Sequence, residues 1–341
     1  MNVIILAGGY AERLWPLTQQ HPKVLLPIAG APTLCHLLAN LSGIREVGQL
    51  QVAVDDAKEK FFAAANLKSA WTNPKAQLLL SVHSSNRDGS IKGPVVKLTE
   101  LMDKCTEDVL VIGGDNVFGF DLNNFCSFYV ARGKSCVAIQ RLKQLGDVSS
   151  YGAPTLDNRG VVVSFVEKPL KTRYELVSTA CYFLRKNDLE RSREYLGKGG
   201  KDTLGEFTAW LAERVDLVGY LFESDWFDIG TREGLLGANT FLLDTKANRE
   251  PDVVRGRTKV VPPVFVESGV VIKNSKIGPY AYVRAGSKIL DSVVERSIIY
   301  ENCEVRNGNI QDSIVGPGSI IEGRVSESVF GPNTHLLSLG R

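Results

Sequence analysis

A glycine pair followed by two cationic side chains stands directly after the first apolar run of the chain. Gly8 and Gly9 end that run, and Arg13 and Lys23 follow in the same segment. Glycines let backbone N–H groups approach a ligand closely, and clusters of such groups hold phosphate. The Arg13 guanidinium offers a planar fork to phosphate oxygens, and Lys23 is a point charge on a proline-framed segment. Together these residues predict a cradle for a triphosphate.

Two aspartates lie far apart in the sequence, each beside a glycine and close to a strand-like run. Asp115 stands in V-I-G-G-D-N-V-F-G and Asp228 in D-W-F-D-I-G-T. A carboxylate in such a place can hold Mg²⁺, which takes hard oxygen ligands and bridges phosphates. The alternative is a turn or a helix cap, since aspartate is common in both. Only folding can bring the two together as a two-carboxylate magnesium site.

Two short motifs, Y-G-A-P and F-V-E-K-P, flank a turn signal at 157–160. Their spacing predicts a β-hairpin. The open ends of this hairpin carry Tyr151, Gly152, Glu167 and Lys168. Glu167 can accept hydrogen bonds from sugar hydroxyls, and Lys168 can neutralise a sugar phosphate. For an isolated Glu-Lys dipeptide the alternative is a surface ion pair, which contributes little to stability.

Apolar runs that alternate with helix-like patterns must position these residues. The runs are short and bounded by glycine or polar residues, as in buried parallel strands. The predicted strands are 2–7, 50–54, 78–82, 108–113, 136–140 and 217–222. The predicted helices are 33–42, 56–66, 94–104, 121–132, 203–214 and 231–246. The alternation predicts an α/β fold with a mostly parallel sheet, in which ligands bind beyond the carboxyl ends of the strands.

The pattern changes after residue 246, so the first domain is assigned to 1–246. Residues 247–262 are polar and irregular and predict a linker. From 263 to 335, aliphatic residues recur every six positions, which predicts a parallel β-helix of about four triangular coils of about eighteen residues. The register breaks near 290–298 and 306–313, and a β-sandwich of short strands is the alternative. The repeat positions are Ile277, Val283, Ile289, Ile299, Val305, Val315 and Ile321.

Composition argues against several classes of protein. The 341 residues carry a net charge of +2, with 44% hydrophobic and 23% charged residues. These values are ordinary for a soluble protein of two domains, and no bulk field draws it to nucleic acid or to a membrane. Six cysteines without a C-x-x-C pair predict buried thiols in a reducing compartment rather than a zinc site. With neither a basic leader nor a long apolar stretch, we expect a cytoplasmic protein.

Residues 6–28 resemble the signature of the sugar-1-phosphate nucleotidylyltransferase family. The segment reads L-A-G-G-Y-A-E-R-L-W-P-L-T-Q-Q-H-P-K-V-L-L-P-I, where the family usually has L-A-G-G-x-G-T-R-L-x-P-x-T-x-x-x-P-K-x-L-x-P-I. Ala11 replaces the third glycine of that signature, and Glu12 replaces its threonine. Alanine disfavours positive φ. Glu12 brings a negative charge near an anionic ligand unless its side chain points outward.

The resemblance extends to the other motifs and implies a role for each residue that matches. G-D-N-V-F-G and W-F-D-I-G-T resemble the metal motifs of the family, which implies that Asp115 and Asp228 hold Mg²⁺. The implied catalytic residues are Arg13, Lys23 and Lys168. The implied nucleotide-binding residues are Leu6, Gly8, Gly9, Arg13, Lys23, Gly93 and Asp115. The implied sugar-phosphate-binding residues are Tyr151, Gly152, Glu167, Lys168 and Tyr182.

Two further regions depart from the family pattern. Residues 178–182 (S-T-A-C-Y) occupy the place of a strand that lines the sugar pocket, with Ala180 where glycine is typical. Gly93 matches the glycine of the base-reading motif, but no glutamine stands in the expected place before it. The identity of the base therefore stays open.

The resemblance is closest to the long form of glucose-1-phosphate thymidylyltransferase. It implies a Rossmann-like nucleotidyltransferase domain followed by a left-handed β-helix, and a homo-oligomer. The implied reaction joins dTTP to α-D-glucose 1-phosphate and releases pyrophosphate, by in-line attack of the sugar phosphate on the α-phosphorus. Enzymes using UTP, GTP or CTP and an inactive regulatory subunit are the alternatives. An acyl-transferring β-helix is disfavoured, because such tails need a catalytic histidine and His335 is the only tail histidine.

Overall fold

The computed structural model describes residues 1–9, 11–19, 21–86, 90–142, 148–170, 174–245 and 253–337. The chain divides into two compact units. The first, here called the sheet unit, comprises Met1–Gly9 and Leu34–Trp226. The second, here called the β-helix unit, comprises Tyr10–Thr33 and Phe227–Arg341. The segment that carries Arg13 and Lys23 thus groups with the C-terminal part of the chain.

Seven strands of the sheet unit form one sheet. They are β1 Asn2–Leu6, β2 Gln49–Asp55, β3 Gln77–His83, β4 Val109–Gly113, β5 Cys136–Arg141, β6 Leu176–Leu184 and β7 Val218–Phe222. Their order is β7-β5-β6-β4-β1-β2-β3, and all neighbours are parallel except the two pairs that include β6. β4 is buried along its whole length, which is why it reads as a continuous apolar run. The predicted α/β fold with a mostly parallel sheet is confirmed.

β6 is the strand of this sheet that the alternating pattern does not predict. It runs antiparallel to both β4 and β5, and its register with β5 shifts between Ser178 and Tyr182. Ala180 lies in this irregularity with φ of 52°. A bulge breaks the regular alternation of side chains, so the local pattern of β6 is weak even though most of the strand is buried.

Eight α-helices lie within the described ranges. They are α1 Thr33–Ser42, α2 Glu59–Ala64, α3 Pro94–Leu101, α4 Leu122–Arg132, α5 Lys186–Glu190, α6 Ser192–Gly197, α7 Leu204–Ala212 and α8 Arg232–Thr245. The six predicted helices are confirmed, and two of them include 3-10 turns at Asp56–Lys58 and Met102–Lys104. Helix ends follow capping chemistry: the Asp121 side chain accepts from the backbone N–H of Asn123 at the start of α4, and Gly133 ends α4 with φ of 60°.

The predicted hairpin is also present in the sheet unit. Strands Gly152–Leu156 and Val162–Glu167 pair antiparallel, with Glu167 opposite Gly152. Asp157 fixes the turn, because its Oδ1 accepts from the backbone N–H groups of Arg159 and Val161 at 2.9 and 2.8 Å. The hairpin therefore presents Gly152 and Glu167 at its open end, as the motif spacing predicts.

Short parallel strands of the β-helix unit stack in three columns. The first column contains Val253–Arg255, Val271–Lys273, Lys288–Leu290, His335–Leu336 and the first parts of Glu304–Gln311 and Ile320–Ser326. The second contains Lys259–Val260, Lys276–Ile277, Val293–Glu295 and the last parts of the same two long strands. The third contains Val264–Val266, Ala281–Val283, Ile298–Ile299, Ile314–Val315 and Val329–Phe330. This architecture is consistent with the left-handed β-helix that the resemblance implies.

The coils of this β-helix shorten along the chain. Val253 pairs with Val271, eighteen residues later, but Val271 pairs with Lys288, seventeen residues later. Ile320 pairs with His335, only fifteen residues later. The expected eighteen-residue coil thus holds at the start and is wrong further on. Residues are lost from the corners while the strands keep their register, which accounts for the breaks in the six-residue period.

The interior of the coils is apolar with a polar seam at the corners. All seven predicted repeat positions are buried in one hydrophobic cluster. Buried serines link successive coils: Ser275 Oγ accepts from Ser292 N at 3.0 Å, and Ser292 Oγ accepts from Gly308 N at 2.9 Å. These bonds satisfy backbone donors at corners where the strand ladder is interrupted.

The predicted linker overlaps the first coil. Val253–Arg255 and Lys259–Val260 are strands that pair with the second coil, although the sequence there is polar and irregular. Residues 246–252 lie outside the described ranges.

The cysteines are free thiols, and all but the half-buried Cys126 are buried. Burial raises the pKa of Cys126 and of Cys136 to about 12, so both stay protonated at neutral pH. No helix within the described ranges is long and apolar enough to cross a membrane.

Candidate active site

Gly8 and Gly9 follow β1 in the sheet unit, and each needs glycine for a different reason. A Cβ on Gly8 would lie 2.6 Å from Lys97 Nζ and 3.1 Å from Asp55 Oδ2, so a larger residue would displace these charged side chains. Gly9 has open space around it but a φ of +107°, which disfavours a side chain. Lys58 Nζ donates to the Gly9 carbonyl oxygen at 3.3 Å. The loop predicted to bind phosphate therefore has a backbone that favours glycine at both positions, with the Lys58 cation beside it.

Beneath Gly8 lies a buried ion pair that sequence reasoning missed. Lys97 Nζ of α3 lies 2.5 Å from Asp55 Oδ1 at the end of β2, and each side chain is only 4% exposed. The available signal was a charged residue inside an apolar stretch at each position, V-A-V-D and V-V-K-L. Charges are seldom buried this completely unless they are paired.

The N-terminus of α3 already holds a carboxylate. Asp202 accepts from the backbone N–H groups of Gly93, Val95 and Val96 at 2.7, 2.8 and 3.0 Å. A Cβ on Gly93 would collide with Asp202. The sequence assigns Gly93 to nucleotide binding, and in this structure its N–H group is donated to Asp202. The anion-binding capacity of this helix end is thereby used within the sheet unit.

Asp115 stands on a turn that is tied to the end of β1. Gly114 N donates to the Leu6 carbonyl oxygen at 2.9 Å, and Leu6 pairs in register with Gly113. The buried Asn116 amide donates to Asp115 Oδ1 at 3.0 Å and accepts from Trp226 Nε1 at 2.7 Å. Asn116 therefore orients the Asp115 carboxylate, a role that the G-D-N-V-F-G motif did not disclose. This turn lies at the same sheet edge as the glycine pair.

The open end of the hairpin gathers the predicted sugar-phosphate residues. Glu167 packs against Gly205 in the first turn of α7 so closely that any side chain there would displace it. Burial raises the pKa of Glu167, an effect that Lys168 opposes and Glu206 reinforces. Gly152, the strand partner of Glu167, is likewise too closely packed for a side chain.

Lys168 and Tyr151 are joined at the same end of the hairpin. Lys168 N donates to the Tyr151 carbonyl oxygen at 3.0 Å. Lys168 adopts φ of 47° and its side chain is exposed, so its ammonium group can reach a ligand in solvent. The Tyr151 ring meets the Trp226 ring edge-on at 5.0 Å.

Tyr182 is a predicted sugar-phosphate residue that lies in the core. It is 4% exposed, and its hydroxyl lies 3.1 Å from Ser178 Oγ within the core of the sheet unit. Burial raises its pKa to about 12. In this structure the Tyr182 hydroxyl has its hydrogen-bond partner within the core. The neighbouring Ala180 adopts positive φ, at the position where the family has glycine.

Arg13 belongs to the β-helix unit, together with Asp228. Its guanidinium Nη2 lies 3.7 Å from Asp228 Oδ2, whose side chain is 15% exposed. Asp228 Oδ1 accepts from Gly230 N at 2.8 Å, and Thr231 Oγ1 accepts from Gly234 N at 3.0 Å. Thr231 therefore provides the helix cap at the start of α8, the role that was the alternative for Asp228. Asp228 closes a short turn and keeps its second oxygen toward Arg13.

The two departures from the family signature precede Arg13. Ala11 adopts φ of 48° and ψ of 48°, the left-handed conformation that a glycine takes without strain. The Thr18 hydroxyl donates to the Ala11 carbonyl oxygen at 2.8 Å. Glu12 opens a 3-10 turn, Glu12–Leu14, and is exposed. Lys23 opens a second one, Lys23–Leu25, in which Val24 and Leu25 are buried and Lys23 is half-buried.

Asp115 and Asp228 supply hard oxygen donors of the kind that Mg²⁺ prefers. Within the described ranges no group of three or more His, Cys, Asp or Glu residues is arranged to hold a metal ion. A metal held by one or two carboxylates and completed by substrate phosphates needs no such cluster, which is the usual arrangement for Mg²⁺. The donor chemistry of the two aspartates therefore fits this ion.

Comparison with known proteins gives a consistent result. The Nucleotidyl transferase family matches residues 2–245. Bifunctional protein GlmU of Methanocaldococcus jannaschii is 27% identical over 93% of this chain and 78% of its own length. Glucose-1-phosphate thymidylyltransferase of Streptomyces griseus is 25% identical over 99% of this chain and 94% of its own. The crystal structure of a UDP-glucose pyrophosphorylase with UDP-glucose superimposes with a TM-score of 0.58 at 21% identity, covering 72% of this chain and 99% of that one.

Proposed function

Because the chain belongs to the nucleotidyl transferase family, we propose that it joins a nucleoside triphosphate to a sugar 1-phosphate. One observation carries the proposal. The Gly8–Gly9 loop and the Asp115 turn leave the carboxyl ends of neighbouring strands β1 and β4, which are bonded through Gly114 N and the Leu6 carbonyl. Ligands bind at this edge of an α/β sheet, and both the glycine pair proposed to hold phosphate and the carboxylate proposed to hold Mg²⁺ stand on it.

We further propose dTTP and α-D-glucose 1-phosphate as the substrates, giving dTDP-glucose and pyrophosphate. The thymidylyltransferase of S. griseus supports this choice, since it aligns over 99% of the chain, β-helix included. Residues 83–98 include Gly93 but no glutamine that could read the base, so UTP, GTP and CTP are the rival nucleotides.

The cationic and the acidic residues have different roles in the proposed reaction. Arg13 and Lys23 offset charge on the β- and γ-phosphates, while Lys168 holds the sugar phosphate in line with the α-phosphorus. A sugar-phosphate oxygen forms the new bond to that phosphorus, and the bond to the leaving pyrophosphate breaks. Asp115 and Asp228 would hold Mg²⁺, which supplies electrostatic stabilisation of the phosphate oxygens. No covalent protein intermediate is needed, so catalysis rests on positioning and charge stabilisation.

Glu167 accepts hydrogen bonds from sugar hydroxyls in this scheme. Its enclosed position against Gly205 favours recognition of a neutral group, because burial already disfavours its ionised form. A hydroxyl donor forms a hydrogen bond with the carboxylate without bringing a second charge beside it.

A matrix of four nucleoside triphosphates against several sugar 1-phosphates tests the proposal, with pyrophosphate release as the measurement. We expect the highest turnover with dTTP and glucose 1-phosphate in the presence of Mg²⁺. A different best pair keeps the reaction class and replaces the substrates. No turnover with any pair overturns the proposal and favours the inactive regulatory subunit, to which Ala11 and Glu12 point.

A further inference from the structure

The segment 11–33 supplies two of the proposed catalytic cations, yet it groups with the β-helix and not with the sheet. The hydrogen bonds that shape the turns of its described residues are local. Thr33 N and Thr33 Oγ1 both bond to the Leu26 carbonyl, and Leu26 N donates to the Lys23 carbonyl. A loop of this kind needs outside support to hold cations in one place. The β-helix unit offers that support at three points.

The first point is in the last coils of the β-helix. Gly331 lies against Pro16, three residues after Arg13, and a Cβ on Gly331 would come within 2.5 Å of Pro16 Cγ. The Gly331 carbonyl is held by the hydroxyls of Ser319 and Thr334 at 3.1 and 2.9 Å. Its backbone therefore cannot retreat easily, and the stiff proline ring cannot fold away. Contact at this point transmits the position of the coil to the turn that carries Arg13.

The second point is in the first described coils. The tight turn at Ala29 and Gly30, six and seven residues after Lys23, joins strands Pro27–Ile28 and Ala31–Pro32. The Phe265 ring occupies the space where Gly30 lacks a Cβ. Phe265 in turn meets the Tyr282 ring edge-on at 5.8 Å.

This aromatic pair is fixed rather than adaptable. The Tyr282 hydroxyl donates to Glu267 Oε1 at 2.6 Å, and Tyr282 is fully buried. Glu267 Oε2 accepts from the backbone N–H of Ala285 at 3.0 Å. The ring under Gly30 is therefore set by a hydrogen-bonded chain within the coils.

The third point is on α8, the helix that follows Asp228. Asn239 Oδ1 accepts from Ala29 N at 3.0 Å, and the Asn239 side chain is buried. The same helix begins at the Thr231 cap, three residues after Asp228. One unit thus holds Arg13, the segment of Lys23, and Asp228.

We propose that the β-helix is the support that positions the phosphate-binding segment, with Gly331 and Phe265 as positioning residues acting through Arg13 and Lys23. The proposal rests on the proposed function, because those cations matter only if a triphosphate binds. The tail is then part of the catalytic apparatus, beyond any role in assembly. A small displacement of positioned groups is enough to slow a reaction strongly.

Two variants of the full-length protein test this. Gly331→Ala pushes on the Pro16 ring, and Phe265→Leu removes the ring beneath Gly30. Gly269→Ala is the matched control: Gly269 has φ of +78° and nothing within 4 Å, so alanine there strains the first coils without touching the segment. Peptide-level hydrogen exchange over 11–33 and steady-state kinetics are measured for each.

We expect faster exchange in 11–33 in both test variants, at bonds such as Leu25 N to the Pro22 carbonyl, while peptides of β1 and β4 stay at the wild-type rate. We also expect kcat/KM for the nucleotide to fall about tenfold, with KM for the sugar phosphate unchanged. The control should show neither change. Faster exchange with wild-type kinetics overturns the proposal, as does wild-type exchange in both variants.

The two proposals fail separately. If the wild-type protein releases no pyrophosphate with any substrate pair, the proposed function fails. In that case exchange over 11–33 still decides whether the β-helix supports the segment. If wild-type turnover is present but both variants match it, only the support role fails.

Discussion

The coil corners and the candidate site both hold the backbone at positive φ, but they use different residues. Many corners have a residue whose short polar side chain favours this conformation, namely Asn274, Asp291, Asn302, Asn307, Asp312 and Asn333. In the candidate site, Ala11, Lys168 and Ala180 take φ of 48°, 47° and 52° without such a side chain. These six corners favour the conformation locally, although Tyr280, Arg296 and Glu327 take positive φ without such a side chain. In the candidate site none of the three residues has that local support, so the site stores backbone strain. Strain of this kind collects where surrounding structure imposes a geometry that function needs.

Ion pairs also differ between the coil corners and the candidate site. The corner pair Arg296 and Asp312 is bidentate at 2.8 and 2.7 Å, and both side chains stay partly exposed, 46% and 37%. Asp55 and Lys97 beneath Gly8 are each 4% exposed. An exposed pair contributes little because water screens it, while a buried charge without its partner is strongly unfavourable.

The largest expected effect breaks the buried pair. Lys97→Met leaves Asp55 charged and unpaired, and should lower the free energy of unfolding by about 3–5 kcal/mol. Arg296→Met at the corner should lower it by less than about 1 kcal/mol. Urea unfolding followed by tryptophan fluorescence measures both. A double variant, Asp55→Leu with Lys97→Met, should recover much of the lost stability. Equal effects of Lys97→Met and Arg296→Met would contradict the contrast between the buried and the exposed pair.

The next effect, on turnover, distinguishes a carboxylate of the candidate site from one at a coil corner. Asp228→Asn keeps an acceptor for Gly230 N but removes the charge, and turnover should fall about 10²–10³-fold with thermal unfolding unchanged. Asp312→Asn makes the same change at a corner and should leave turnover at the wild-type level. Near-normal rates for Asp228→Asn would refute its role in metal binding.

Relief of backbone strain comes next. Ala180→Gly and Ala11→Gly should each raise the free energy of unfolding by roughly 0.5–1 kcal/mol, because the left-handed conformation penalises alanine more than flexibility penalises glycine. Asn302→Gly at a corner should change it by only a few tenths, since asparagine tolerates that conformation. Thermal unfolding measures these changes in stability. A loss of stability in both alanine-to-glycine variants would show that neither position is strained.

The smallest effect is a difference in pH dependence. Burial raises the pKa of Glu167, so its contribution to stability is present below its unfolded-state pKa and is lost as pH rises through the folded-state value. The hydrogen bond from Arg296 lowers the pKa of Asp312, so its contribution is present above the unfolded-state pKa and is lost as pH falls.

Replacing each carboxyl group with the corresponding amide tests these two opposite pH dependences of stability. Relative to wild type, Glu167→Gln should gain stability toward neutral pH, and Asp312→Asn should lose it. Urea midpoints from pH 3 to pH 8 measure both curves. Parallel curves would show that the two carboxyl groups sit in equivalent environments.

Much of this molecule could be predicted because its signals are local. Apolar runs identified six of the seven sheet strands, and helix-like patterns between them identified six helices. The six-residue repeat identified the β-helix because each inward position recurs whatever lies above or below it. The hairpin with Gly152 and Glu167 followed from one turn signal and two flanking motifs.

What escaped prediction depends on partners distant in sequence. The apolar pattern missed β6, for which only the resemblance indicated a strand at 178–182, because its bulge at Ala180 interrupts the alternation on which a strand prediction rests. The shortening of the coils showed in the sequence only as breaks in the six-residue period, because a residue lost at a corner leaves the strands on either side unchanged. Asn116, which orients Asp115, meets its partner Trp226 only after folding.

The sequence by itself determined the class of fold, the repeat and the chemical types gathered in the motifs, since all of these are written in neighbouring residues. Only the tertiary structure decided that Lys97 pairs with Asp55 beneath Gly8, and that the segment of Arg13 and Lys23 rests on Gly331 and Phe265. The reason is physical. Burial, desolvation and close packing are properties of surroundings, and a chain read in one dimension contains the groups but not the surroundings that they create for one another.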